Sequence, residues 1–212
     1  MQTQKIENTI NAKTIELISR LIEKIENVNF PEDRFYSGNY TWIKFDGEIA
    51  TVGLNALIVL LYTPLIEVIF LCSFSNVEKN EPCAWVKHRD GILTIRSPIQ
   101  GELFDVNKTL SESPDIINRD PYSSGWLFKI KTKPSTVKLN LLTHNEFLKL
   151  HHEKVQNFKK EVISSLNQMS ISSIETLPDG GQMVETLKDL LGVKRYFAIV
   201  DKIFIKTSQK YV

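Results

Sequence analysis

Cysteine is scarce in this chain, with only Cys72 and Cys83 among 212 residues. There is no CxxC motif and no paired His/Cys spacing suited to zinc, so we predict no metal site. Two cysteines do not indicate a disulfide framework, and we expect both thiols to be small buried groups in a reducing cytoplasm. Whether the two can pair is left open by the sequence. A chain of this length can bury a substantial core without disulfide or metal cross-links.

An excess of charge is also lacking, since 26 Lys and Arg residues balance 25 Asp and Glu residues. Composition therefore gives no reason to expect a nucleic-acid partner. The first residues, MQTQKIENTINAK, lack a basic start followed by an apolar run, so we expect no secretory signal. Pro64 and Glu67 interrupt the one long apolar run, at 54–72. We expect a helix, a break and a buried strand there instead of a membrane span, with peripheral contact through Ala56–Tyr62 left open.

Apart from the helix expected within 54–72, the predicted helices lie toward the two ends of the chain. Near the N-terminus, apolar residues fall on one side of a helix that ends before Pro31: Ile15, Ile18, Leu21, Ile22 and Ile25. Thr143 and Glu146 have the spacing of a capping box at the start of a second helix. Its apolar stripe consists of Phe147, Leu150, Val155, Phe158, Val162 and Leu166. The segment 193–206 suits a helix or a strand, and we favour the helix.

Short β-branched and aromatic runs fill the chain from residue 36 to residue 133. These runs are TWIKF, EIATVGL, LIEVIFLCSF, CAWVKHR, ILTIRS, GELFDVN and WLFKIKT. Turn signals separate them at Asp46-Gly47, Asn76, Pro98, Gly101 and Pro121. Many short strands at close intervals indicate a barrel or sandwich, so we predict a mainly β fold with helical additions, of the α+β class.

One predicted hairpin carries a charged tip. In AWVKHRDGILTIRS, residues 84–97, Asp90-Gly91 is a favoured pair for a two-residue turn. This turn would place Lys87 opposite Thr94 on the flank of the hairpin, and Trp85 opposite Arg96 as a cation–π pair. We regard six hairpin residues as candidates for an interaction surface: Trp85, Lys87, His88, Arg89, Asp90 and Arg96. No serine or cysteine nucleophile is identifiable beside His88, so we predict no catalytic residues and no enzyme activity.

The middle of the chain resembles the glycine cleavage system H protein family. The stretch FYSGNYTWIKFDGEIATVGL (35–54) is similar to the opening of that family's domain. The stretch SPIQGELFDVNKTLSESPDIINRDPYSSGWLFKIK (97–131) is similar to its second half. The resemblance implies a barrel-sandwich hybrid at 34–150, related to lipoyl and biotinyl carrier domains. It would be flanked by an N-terminal helical extension, 1–33, and a C-terminal helical extension, 151–212.

The resemblance also implies a lysine at a hairpin tip that carries lipoic acid in amide linkage. Aligned without a gap from Ser97-Pro98, that lysine position is occupied by Asp90. A carboxylate cannot form the amide, so we expect no lipoyl cofactor there. We interpret the chain as a non-lipoylated adaptor that binds protein partners, with a multienzyme or redox complex among the candidates. Two alternatives stay open: a lipoyl carrier modified at a displaced lysine such as Lys87, and a regulatory module that binds an anion or metabolite.

Overall fold

The computed structural model describes residues 12–71, 75–133, 141–172 and 186–205. These residues form two compact units. One unit is built on Val28–Leu150 and contains the described β-strands. The other combines the segment that ends at Asn27 with His151–Lys206, and its described elements are helices.

Two antiparallel sheets form the β unit. In sheet order, the larger one contains β1 (Phe35–Tyr36), β2 (Thr41–Asp46), β3 (Ile49–Leu54), β9 (Trp126–Lys131), β8 (Gly101–Val106) and β5 (Ser75–Val77). The smaller sheet contains β4 (Leu65–Phe70), β6 (Pro82–His88) and β7 (Gly91–Arg96), with β6 in the centre. All seven predicted runs contain a strand, and the prediction of a mainly β fold with helical additions is confirmed. Asn76, predicted as a turn, instead pairs with Glu102 inside β5.

The apolar run after β3 forms α2 (Ala56–Tyr62), capped by the Asn55 side chain. The Asn55 Oδ1 accepts hydrogen bonds from the Leu57 and Ile58 amides at 3.1 and 3.2 Å. Helix α2 is largely buried, which leaves little apolar surface for the peripheral contact that the sequence left open. The described residues contain no helix that could cross a membrane.

The buried strand predicted after Pro64 is present as β4, but the prediction of its burial is wrong for one side of the strand. Leu65 and Val68 of β4 are buried, but Ile66 and Ile69 are 46% and 43% exposed. The three-stranded sheet has one face toward the core and one toward solvent, which leaves Ile69 outside. The register shifts between Leu65 and Glu67, so the alternation is interrupted and Ile66 is exposed as well.

Side-chain hydrogen bonds to backbone atoms hold the β unit together. Two short helices, α3 (Thr109–Glu112) and α4 (Asp115–Arg119), lie between β8 and β9 in the chain. The Asn107 amide group, just before α3, donates to the Ser124 and Trp126 carbonyls, both at 2.8 Å. The Asn118 side chain on α4 accepts from the Leu65 N–H at 3.2 Å and donates to the Leu65 carbonyl at 3.0 Å. These two asparagines therefore fix how the connecting segments meet the strands.

A second cluster surrounds the buried Trp42. Its indole N–H donates to the Pro121 carbonyl at 2.9 Å, and the Arg34 guanidinium lies 4.7 Å from its ring centroid. The same guanidinium lies 5.1 Å from the Tyr122 ring. A Cβ on Gly53 would lie 2.5 Å from the Trp42 ring, so only glycine permits this approach.

The helical unit contains α1 (Ala12–Glu26), most of α5 (His144–Ser172), α6 (Leu187–Leu191) and α7 (Val193–Val200), followed by a π-helical turn at Asp201–Ile205. The helices predicted at 12–27 and from Thr143 are confirmed, and 193–200 is a helix as favoured. The capping box is confirmed too, because the Thr143 N–H donates to the Glu146 carboxylate at 2.9 Å. The predicted stripe on α5 is buried throughout.

Two buried titratable groups lie within the helical unit. His151 Nε2 is 3.1 Å from the Ile25 carbonyl oxygen, and burial lowers the pKa of this imidazole to about 4. The Lys154 ammonium donates to the Phe204 carbonyl at 3.3 Å, and burial lowers its pKa to about 8. Both side chains extend from α5 to the backbone of another helical segment, which gives each a hydrogen-bond partner inside the core.

Candidate functional site

The hairpin formed by β6 and β7 turns earlier than its sequence predicts. β6 ends at His88 and β7 begins at Gly91, so the two-residue turn is Arg89-Asp90 and not Asp90-Gly91. Among the described residues, positive φ occurs at neither Arg89 nor Asp90, so the turn is not the type I′ turn that Asp-Gly favours. Gly91 instead leaves room for the His88 imidazole, because a Cβ at this position would lie 3.3 Å from His88 Nε2.

Strand pairing follows from this turn. Lys87 lies opposite Ile92 and Trp85 opposite Thr94, each two residues before the predicted partner. A shift of two residues keeps every side chain on the same face, so the apolar pattern fits both registers equally well. The predicted Trp85–Arg96 pair is wrong, because Arg96 lies opposite Pro82 and its guanidinium donates to the Asn80 carbonyl at 2.9 Å.

His88 belongs to the core face of the hairpin. Its side chain is buried, with the imidazole edge-on to the Tyr62 ring at a centroid distance of 5.1 Å. The Asp90 N–H approaches His88 Nδ1 at 3.4 Å. His88 therefore packs the tip against α2, and its inclusion among exposed interaction residues is wrong.

The opposite side of the three-stranded sheet is exposed. We call it the outer face, and it consists of Glu67, Ile69, Trp85, Lys87, Ile92 and Thr94. Ile69 pairs with Trp85, and these side chains are 43% and 42% exposed, while Ile92 is 61% exposed. Lys87 Nζ lies 3.4 Å from Glu67 Oε2, with both side chains about half exposed. The outer face thus combines three large apolar side chains with one weak ion pair.

The end of the hairpin presents one cation and one anion. Arg89 is exposed, and Asp90 beside it is half-buried. Asp90 occupies the second position of the two-residue turn, so its carboxylate lies at the tip of the hairpin.

Comparison with known proteins places this geometry in a family. The profile of the glycine cleavage H-protein family matches residues 34–154. This chain belongs to the glycine cleavage H-protein family. The H protein of Halothermothrix orenii is 30% identical over 131 residues, which is 59% of this chain and 98% of that protein. An H protein of Thermus thermophilus is 33% identical over 111 residues, which is 50% of this chain and 83% of that protein.

A solved H-protein structure has the same fold over this region. The crystal structure of a glycine cleavage system H protein from Mycobacterium marinum is 26% identical and gives a TM-score of 0.51. The match covers 56% of this chain and 95% of that one. The predicted lipoyl-domain-like core with helices at both ends is therefore confirmed.

Lipoate is the group that membership of the H-protein family implies, and the tip of this hairpin does not fit it. An amide bond to lipoic acid needs an amine, and Asp90 offers a carboxylate instead. The nearest amine along the strand, on Lys87, lies on the outer face and not in the turn. The turn itself therefore has no group to which lipoic acid could be attached.

Within the described ranges, no three His, Cys, Asp or Glu side chains are grouped to hold a metal ion. Cys83 is buried in β6, and Cys72 lies outside the described residues.

Sequence reasoning missed Ile69 and Ile92 as surface residues, although the polar Glu67 and Lys87 on the same face were a signal that this face is exposed.

Proposed function

We propose that this H-protein family member carries no lipoate at its hairpin and acts by binding a protein through the outer face. The observation that carries the proposal is Asp90 in the two-residue turn, where the resemblance puts the modified lysine. A chain with the family fold but without the attachment lysine can still bind a protein partner, but it cannot carry lipoate at this position.

Lys87 is the one lysine of the hairpin, and its surroundings argue against a displaced attachment site. It lies one residue before the end of the central strand β6, between Glu67 and Ile92 on the neighbouring strands. Moving it into the place of Asp90 would slide β6 by an odd number of residues. Such a shift would turn Val86 to solvent and Trp85 toward the core.

The composition of the outer face supports a protein partner. Aromatic side chains with apolar neighbours supply much of the binding energy at protein interfaces, and Trp85 is flanked by Ile69 on the adjacent strand. Exposed apolar residues that cluster on one rigid sheet are a feature of interaction surfaces. Rigid strands also lower the entropy lost on binding.

Intact-mass analysis tests the first half of the proposal. The chain is co-expressed with lipoylating enzymes, beside an H protein that is lipoylated under the same conditions as a positive control. We expect no lipoyl adduct on the chain, while Asp90→Lys restores an amine at the tip for the enzymes to modify. An adduct on the unchanged chain contradicts the proposal, and its loss in Lys87→Ala would support the carrier alternative.

Site-specific photocrosslinking in the native cell tests the second half. A photoreactive residue replaces Trp85 on the outer face, and a matched variant carries it at Glu48, an exposed residue of the larger sheet's turn. We expect a discrete crosslinked product from position 85 and none from position 48. Equal products from both positions, or none from position 85, would count against the outer face as the binding surface.

A further inference from the structure

The two edges of the three-stranded sheet, β4 and β7, differ in how their backbone groups are paired. On the β4 edge, the Asn118 side chain bonds to both the N–H and the carbonyl of Leu65, so these two backbone groups are not available to a foreign strand. On the other edge, β6 is the one strand among the described residues that pairs with β7. Within the described part of the chain, no backbone hydrogen bond from outside the β6 ladder reaches residues 91–95.

The sequence of β7 lacks the features that usually protect a sheet edge. Natural edge strands carry lysine, proline or a bulge, or are very short. β7 has six residues, GILTIR, with no proline and no charge before Arg96. An antiparallel ladder directs the amide groups of alternate residues to alternate sides. Since a two-residue turn closes on a hydrogen-bonded pair, the amides of Ile92 and Thr94 point away from β6.

We propose that β7 pairs with β7 of a second copy of this chain, in an antiparallel ladder with its two-fold axis at Leu93. In this register Ile92 lies opposite Thr94 of the second copy, and Gly91 lies opposite Ile95. The side-chain faces match, because residues of even number lie on the outer face in both chains.

Charge complementarity selects this register from the other two-fold arrangements. With the axis at Leu93, Arg96 at the end of β7 in each copy comes next to the turn of the other copy, where Asp90 follows, so that two symmetric ion pairs can form. With the axis at Ile92, Arg96 would extend past the turn of the other copy, and with the axis at Thr94 it would lie opposite Ile92. Arg96 uses one of its N–H groups for the Asn80 carbonyl and has others to donate.

The dimer would join two outer faces into one sheet of six strands. A two-fold contact is self-complementary, as isologous interfaces require. The proposal does not depend on whether the hairpin is lipoylated. It gives Asp90 a role of its own in this chain.

Sedimentation velocity over a range of concentrations tests the dimer with the whole 212-residue chain. We expect a dimer that dissociates on dilution. Thr94→Pro removes an N–H that points away from β6, so it should abolish the dimer and leave the hairpin folded, as circular dichroism would report. Thr94→Val keeps that N–H and should remain dimeric. A chain that is monomeric at every concentration overturns the proposal.

Charge reversal tests the register even if Thr94→Pro does not fold. Asp90→Arg and Arg96→Asp each replace two ion pairs with two like-charge contacts, so each should raise the dimer dissociation constant about tenfold. The double variant restores opposite charges and should return the constant to within about threefold of the original. A dimer that is indifferent to all of these changes has another interface, and the proposal is then wrong.

Discussion

In the β unit, side chains bond to the backbone of distant segments and glycines allow close contact, whereas the helical unit packs apolar helix faces around two buried titratable groups. Asn107, Asn118 and Trp42 each tie a connecting segment to a strand. In the helical unit the buried polar groups His151 and Lys154 bond to helix carbonyls. The geometry of the β unit therefore depends on individual hydrogen bonds and close contacts. The stability of the helical unit depends on its buried apolar area and on the charge state of His151 and Lys154.

The largest expected effect breaks a close contact in the β unit. Gly101 has a φ of +154°, and a Cβ there would lie 2.4 Å from the Lys131 carbonyl oxygen. Backbone atoms of β9 cannot move aside easily, so Gly101→Ala should lower the free energy of unfolding by at least about 3 kcal/mol in urea denaturation. Gly47 also has positive φ, but its Cβ would meet nothing within 4 Å. Gly47→Ala should therefore cost only about 1 kcal/mol, and equal losses would refute the steric argument.

The next effect concerns the helical unit and pH. His151 has a folded pKa of about 4 against an ordinary 6.5, so the unfolded chain binds its proton at higher pH. Its stabilisation is complete above about pH 6.5 and is lost as the pH falls toward 4. Between pH 7 and pH 5 this group should remove about 2 kcal/mol from the free energy of unfolding.

His151→Gln is the matched variant for this titration, because glutamine can still donate to the Ile25 carbonyl but does not titrate. Urea denaturation at the two pH values isolates the imidazole as the difference between variant and parent. If both lose the same stability on acidification, His151 is not the source of the pH dependence.

A smaller effect compares a tie in the β unit with the hairpin tip. Asn118→Ala leaves the Leu65 N–H and carbonyl without their side-chain partners and should cost about 1–3 kcal/mol. Arg89→Ala at the exposed tip should stay within about 0.5 kcal/mol of the parent. Thermal or urea unfolding of both variants provides the comparison. A tip substitution as costly as the Asn118 change would show that the tip, too, is structurally constrained.

The smallest effect is expected at the outer face. Lys87 and Glu67 form a half-exposed pair at 3.4 Å, so Lys87→Ala should change the free energy of unfolding by about 0.5 kcal/mol or less. A double-mutant cycle with Glu67→Ala measures the coupling directly. A coupling well above that value would mean that the pair orders the outer face and does not merely lie on it.

Much of the fold was predictable because local patterns are sufficient for it. Alternating β-branched residues located seven strands, and helical periodicity located α1 and α5 with their buried faces. The spacing of Thr143 and Glu146 also predicted the capping box that the structure contains. The short strands β1 and β5 escaped prediction, since two or three residues carry too little pattern.

The sequence by itself determined that Asp90 stands where the H-protein resemblance expects a lysine, and that a hairpin surrounds it. Only the tertiary structure decided the turn, because registers two residues apart bury the same side chains. Packing of His88 against Tyr62, with Gly91 leaving room for the imidazole, favours Arg89-Asp90 as the turn. The same is true of the outer face: an apolar run such as LIEVIF is equally suited to a buried strand and to a half-covered one. Which side meets solvent depends on what packs against the sheet, and no single strand contains that information.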